Sequence, residues 1–140
     1  MSVHVHPAYF ISMVNVTFAA QIIAMIKSSI IIDVELDDNR VPENIEWKAT
    51  ESTAAEPQKA KAMMVSFWDG QEKTALRIDL WTQKMMVDEM ADFYFQTYMT
   101  MADTFDRATR QTELVAEMKA FAHRFNEKFR ELQLKENKAS

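Results

Sequence analysis

Hydrophobic and polar positions change period several times along this chain, and each change marks an element. Ile30, Ile32, Val34 and Leu36 alternate with Ile31, Asp33, Glu35 and Asp37. Period two with β-branched side chains predicts a strand with one face inward. Asp38 to Asn44 is turn chemistry, with short polar side chains and a proline that cannot donate to a ladder. Ile45, Trp47 and Ala49 then alternate with Glu46, Lys48 and Thr50, predicting a second strand that returns antiparallel to the first. Ser52 to Glu56 is a small polar connector, and Pro57 stands where a helix would begin. Ala60, Met63, Met64, Phe67 and Trp68 follow the i, i+3, i+4, i+7, i+8 rule, and Gly70 lies just beyond, where a helix often ends. Periodicity and stop signal together predict a helix here. A strand with Met63, Val65 and Phe67 on one face is the rival.

Leu76, Ile78 and Leu80 alternate with Arg77 and Asp79, a third strand, with Trp81 at its exit. Asp88 and Glu89 then place negative charge where the dipole of a helix's first turn favours it. The stripe Val87, Met90, Ala91, Tyr94, Tyr98, Met101, Ala102, Phe105 is helical. Thr109-Arg110-Gln111 breaks it, and Thr112 is a fitting N-cap for a last helix. That helix carries Leu114, Val115, Met118, Phe121, Ala122, Phe125, Phe129 and Leu132 along one side. The predicted order is therefore β-β-α-β-α-α: an α+β fold with a small, mostly antiparallel three-stranded sheet and helices packed on one face. Leu76, Ile78, Leu80 and the stripe around Tyr94 and Tyr98 are expected to build the core.

Composition narrows the classes. At 140 residues the chain suits one domain. A net charge of −5 speaks for solubility and against nucleic acid, which would call for a basic stripe. The lack of cysteine excludes disulfides, thiol catalysis and cysteine-ligated metals, and fits a reducing cytoplasm. A single glycine, Gly70, cannot build a phosphate-cradling loop or a dinucleotide fingerprint. No Asp, Glu, Lys or Arg occurs from Met1 to Ile26. The division expected is an apolar N-terminal extension over 1–25, an α+β domain over 26–134 and a charged tail over 135–140. For the extension, a mis-set start ahead of Met25 is the simplest origin. Insertion of residues 8–26 into a membrane is the alternative.

No constellation of side chains announces catalysis, and no cofactor or metal site is expected. His4 and His6 lack the third ligand a metal needs. His123 has no nucleophile to serve. Asp88, Glu89, Asp92, Asp103 and Asp106 share one helix but fall opposite its apolar stripe, and Asp103 has Arg107 four residues on, an ordinary surface pair. Arg77 and Asp79 occupy the polar side of the third strand, where a cross-strand partner is the simple account.

Methionine is the stronger signal. Eight of the eleven methionines lie between Met63 and Met118, and methionine serves as core filler and as adaptable partner surface alike. Phe93 points roughly 100° and Met99 roughly 140° from Tyr94 around the long helix. A surface helix rarely needs that much apolar girth, so Phe93 and Met99 are the expected partner interface.

The blocks IDVELDDNRVPENIEW (Ile32–Trp47), FWD (Phe67–Asp69), LRIDLWT (Leu76–Thr82), VDEM (Val87–Met90) and MADTFDRAT (Met101–Thr109) resemble the gliding-motility GldC family over about Ile26 to Leu132. The resemblance implies a cytoplasmic, non-enzymatic accessory protein that binds protein partners of the gliding machinery or cell envelope, with a homo-oligomer compatible. It carries over no catalytic residue. A membrane-tethered small subunit of an envelope complex is the second reading, and an enzyme of unknown type the third.

Overall fold

A computed structural model describes residues 26–139. His4, His6, Met25 and the apolar run expected as an extension or anchor lie outside the described residues. Five strands precede two helices: β1 (Ile30–Leu36), β2 (Pro42–Ala49), β3 (Gln58–Ala60), β4 (Ala62–Asp69), β5 (Thr74–Trp81), α1 (Val87–Thr109) and α2 (Thr112–Ala139). The class is α+β as predicted, but the helix expected between Pro57 and Gly70 is a pair of strands. Every ladder is antiparallel. β1, β2 and β3 form one sheet in that order, and β4 and β5 form a second. A single residue, Lys61, separates β3 from β4, so one extended run passes from the first sheet into the second. The Thr82 N–H donates to the Lys61 carbonyl at 2.8 Å and continues the β4–β5 ladder to that joint. The strand at 74–81 thus belongs to the second sheet, and β3 supplies the third strand of the first.

The helical reading failed because β4 is apolar on both parities. Register places Met63, Val65 and Phe67 of β4 opposite Leu80, Ile78 and Leu76 of β5, all on one face. Met64, Trp68 and Ala62 occupy the other. An extended segment with apolar residues on both faces loses its period-two signature. Gly70 is a loop residue in the β4–β5 hairpin rather than a helix stop. Its φ is not positive and nothing lies within contact of an added Cβ. Left-handed backbone falls instead on Arg40, Glu51, Lys73 and Arg110, each at a steric cost that a glycine would avoid. Two of these close hairpins in the same way. The Asp37 carboxylate accepts from the Asn39 and Val41 N–H groups on either side of Arg40, and the Asp69 carboxylate from Gln71 and Glu72 before Lys73. Those two N–H donors, Glu72 first, hold the Asp69 pKa below its ordinary value.

α1 and α2 form an antiparallel hairpin. Arg110, with φ 55°, ends α1 and returns its N–H to the Asp106 carbonyl. Small side chains let the helices approach: Ala91, Ala102 and Ala122 are buried, with Val115. The large residues flank this seam. Tyr98 meets Phe121 and Phe125 edge-on at 5.4 and 5.5 Å between centroids, and Tyr94 lies 6.4 Å from Phe125, in the offset geometries aromatic pairs prefer.

The core is thin. Ile45 on β2 is the largest fully buried side chain among the described residues. Leu80 is half-buried, but Leu76 and Ile78, expected in the core, are exposed by more than half. Position on a strand's apolar face gives the direction a side chain points, and only a layer packed over that face buries it.

Candidate functional site: an interaction groove

Phe93 of α1 lies against the sheet face that carries Ile30, Ile32, Ile45, Trp47, Ala60, Ala62 and Met64, and the layers do not close. A groove of about 590 Å³ remains where β4 and β5 meet the start of α1. Five methionines line it: Met63 and Met64 from β4, Met85 and Met86 from the β5–α1 turn, and Met90 from α1. Trp81, Phe93, Tyr94, Tyr98, Phe125 and Phe129 complete its walls. A smaller groove of about 380 Å³ adjoins it, between β1, β2 and α1, lined by Ile30, Ile32, Ile45, Trp47 and Phe93 among others. A third apolar groove continues along α2 past Phe121, Phe125, Phe129 and Leu132. Flexible thioether side chains repack around different contours at little cost, so such a lining suits a binding surface.

The turn into α1 is fixed by charge. Glu89 accepts the Met86 N–H at 3.0 Å and pairs with the Lys61 ammonium. Lys61 first and the Met86 N–H second hold the Glu89 pKa below its ordinary value. The groove wall is thereby tied to the joint between the sheets.

Among the described residues, Asp79 is the only charged one lining the groove. It accepts from Arg77 at 2.9 Å along the same strand, so the pair is intrastrand and not the cross-strand contact expected. That hydrogen bond, then the Asp79 charge, raises the Arg77 pKa, with smaller contributions from Tyr94 and Tyr98. Asp79 and Met64 line the groove beside Tyr94 and Tyr98, which shows which way this side of the hairpin faces. Met64, Arg77 and Asp79 turn toward the helices, and the Phe67, Leu76, Ile78 face turns away.

Phe93 is half-buried and lines both the methionine groove and its neighbour. Met99 is half-buried and lines none of the grooves described. His123 is exposed, with its ring edge-on to Phe95 at 5.4 Å. Asp103 pairs with Lys119 of α2 at 2.7 Å rather than with Arg107, whose guanidinium donates to Thr104. Among the described residues no three His, Cys, Asp or Glu side chains cluster as a metal site would require. None of their helices is long and apolar enough to cross a membrane. Sequence periodicity missed Met63 and Met64 as groove residues because it placed them on a helix. The crowding of methionine between 63 and 118 was the signal available.

The family described as gliding motility-associated protein GldC-like matches residues 42–131. That span runs from β2 through most of α2 and includes every residue named above as lining the methionine groove. No curated protein matches the chain, and no solved structure does.

Proposed function

This chain belongs to the gliding motility-associated GldC-like family, and we propose that it is a non-enzymatic accessory protein that holds an apolar segment of a gliding or envelope protein in its methionine groove. The observation that carries this reading is the groove itself. It is large, open, lined by five methionines and an aromatic wall, and bears one carboxylate already paired with an arginine. Acid–base or nucleophilic catalysis needs polar groups converging on a substrate atom. This lining instead offers contact area that adapts to a side chain or a short amphipathic stretch. A cytoplasmic location, beside the envelope machinery, follows from the same reading.

Affinity capture from gliding cells at low salt tests it. The wild-type chain should recover motility or envelope proteins. Phe93→Ser and Met64→Glu should lose them while keeping the far-ultraviolet circular dichroism of the wild type. Met99→Ser, outside the groove, should retain them. Capture unaffected by either groove variant, or recovery of no motility or envelope component, overturns the proposal.

A further inference from the structure

The open edge of β5 carries an inference that is independent of the groove. β5 pairs only with β4 among the described strands, and residues 74–79 are all exposed. The Thr82 N–H points to Lys61. By alternation, the even-numbered N–H groups of β5 face β4, while those of Ala75, Arg77, Asp79 and Trp81 face outward, each beside its own carbonyl. One sheet face beside this edge is apolar and uncovered, with Phe67 and Leu76 each 57% and Ile78 51% exposed. A long apolar edge of this kind is one that soluble proteins ordinarily blunt or pair.

The sequence of β5 is complementary to itself. A two-fold axis perpendicular to a sheet keeps each face on its own side, so an antiparallel pair of β5 strands can align only residues of like parity. Centred on Ile78, that alignment sets Arg77 of each copy opposite Asp79 of the other. Leu76 stands opposite Leu80, and the small Ala75 opposite the large Trp81. The outward N–H and C=O groups then pair as residue couples 75 with 81 and 77 with 79. Sliding one step either way centres the axis on Arg77 or on Asp79 and puts like charges face to face, which is destabilising. The edge of β1 has no such solution. β1 carries Asp33 and Glu35 and no base, so any face-preserving pairing of two β1 strands that brings these residues opposite one another meets carboxylate with carboxylate.

The geometry points to a homodimer in which β5 pairs antiparallel with β5 of a second copy, in register at Ile78, joining two hairpins into one four-stranded sheet with a continuous apolar face. Sedimentation equilibrium on the full chain should show a dimer. Arg77→Asp and Asp79→Arg should each weaken self-association by about tenfold or more, since two opposed pairs turn from attraction to repulsion. An equimolar mixture of the two variants should dimerise again, because in the mixed pair every charge meets its opposite. A loss of fold in either variant could not be mended by mixing, so the rescue separates interface from stability. Register has its own readout. In a chain with no cysteine, Ile78→Cys should form an intermolecular disulfide on mild oxidation, since in this non-hydrogen-bonded pair the two Cβ atoms would stand about 4.5 Å apart, within reach of a disulfide. Leu76→Cys, facing Leu80, should not. A monomeric wild type, a dimer indifferent to both charge variants, or cross-linking through Leu76→Cys instead of Ile78→Cys overturns the assignment.

Discussion

The two sheets are built from similar strands and end in opposite conditions. In the first, Ile45 is fully enclosed, although Ile30 and Leu36 at the margin of the same face are exposed, and the face away from the helices carries Asp33, Glu35, Glu46, Lys48 and Lys59. In the second, the face away from the helices carries Val65, Phe67, Leu76 and Ile78, with Met63 and Leu80 of the same face bordering the groove at its end, and its middle is more than half exposed. The alternation that makes a good strand is present in both. What differs is whether this chain supplies a second layer, and the contrast shows that an apolar strand face can be addressed to something other than the chain's own core.

Four substitutions sharpen that contrast. Ile45→Ala should have the largest effect, about 3 kcal/mol lost in a denaturant titration, because it opens a cavity in the enclosed sheet. An effect under about 1 kcal/mol would erase the distinction between the sheets. Leu76→Ser on the open hairpin should cost less than about 1 kcal/mol in dilute protein. Its cost should grow with protein concentration, since a second copy then contributes to wild-type stability by mass action. A large loss independent of concentration would mean that the hairpin face is buried within the single chain.

The joint between the sheets supplies the smaller tests. Glu89 has a folded pKa below its ordinary 4.5, so its contribution is complete above that pH and fades as pH falls through the lowered value. Stability should therefore decline on the acid side, and Glu89→Gln should flatten that decline in thermal melts taken across the range. An unchanged acid limb would show that the Lys61–Glu89 pair does not link the groove wall to the joint. Thr82 is 3% exposed, and its hydroxyl has no hydrogen-bond partner among the described residues. Thr82→Val keeps the shape and removes the unpaired group, and should leave stability unchanged or raise it by up to about 1 kcal/mol. A loss of stability would assign that hydroxyl a partner.

Local chemistry made much of the fold legible. β1, β2 and β5 announce themselves by strict alternation. α1 announces itself by its stripe and by Glu89, which reaches back to the Met86 N–H. Arg110 sits within the break the pattern placed at Thr109-Arg110-Gln111. β4 escaped because Met63, Met64, Phe67 and Trp68 satisfy helical spacing as well as a two-faced strand, and Gly70 reads equally as a helix stop or a hairpin residue. The groove was visible only as a surplus of methionine and aromatic residues, with Phe93 picked out by its angle from Tyr94.

The sequence by itself determined the α+β class, the antiparallel first hairpin, the two long helices and the family, because these rest on period, turn chemistry and ordered motifs that act within a few residues of each other. Only the tertiary structure decided that Lys61 carries one strand from sheet to sheet. It alone showed that small alanines seam the helices and turn the large aromatics outward, and that Leu76 and Ile78 face away from the core their alternation predicted. Those outcomes depend on which surfaces meet. A hydrophobic pattern records that a face will be buried, and the packing of distant segments decides against what.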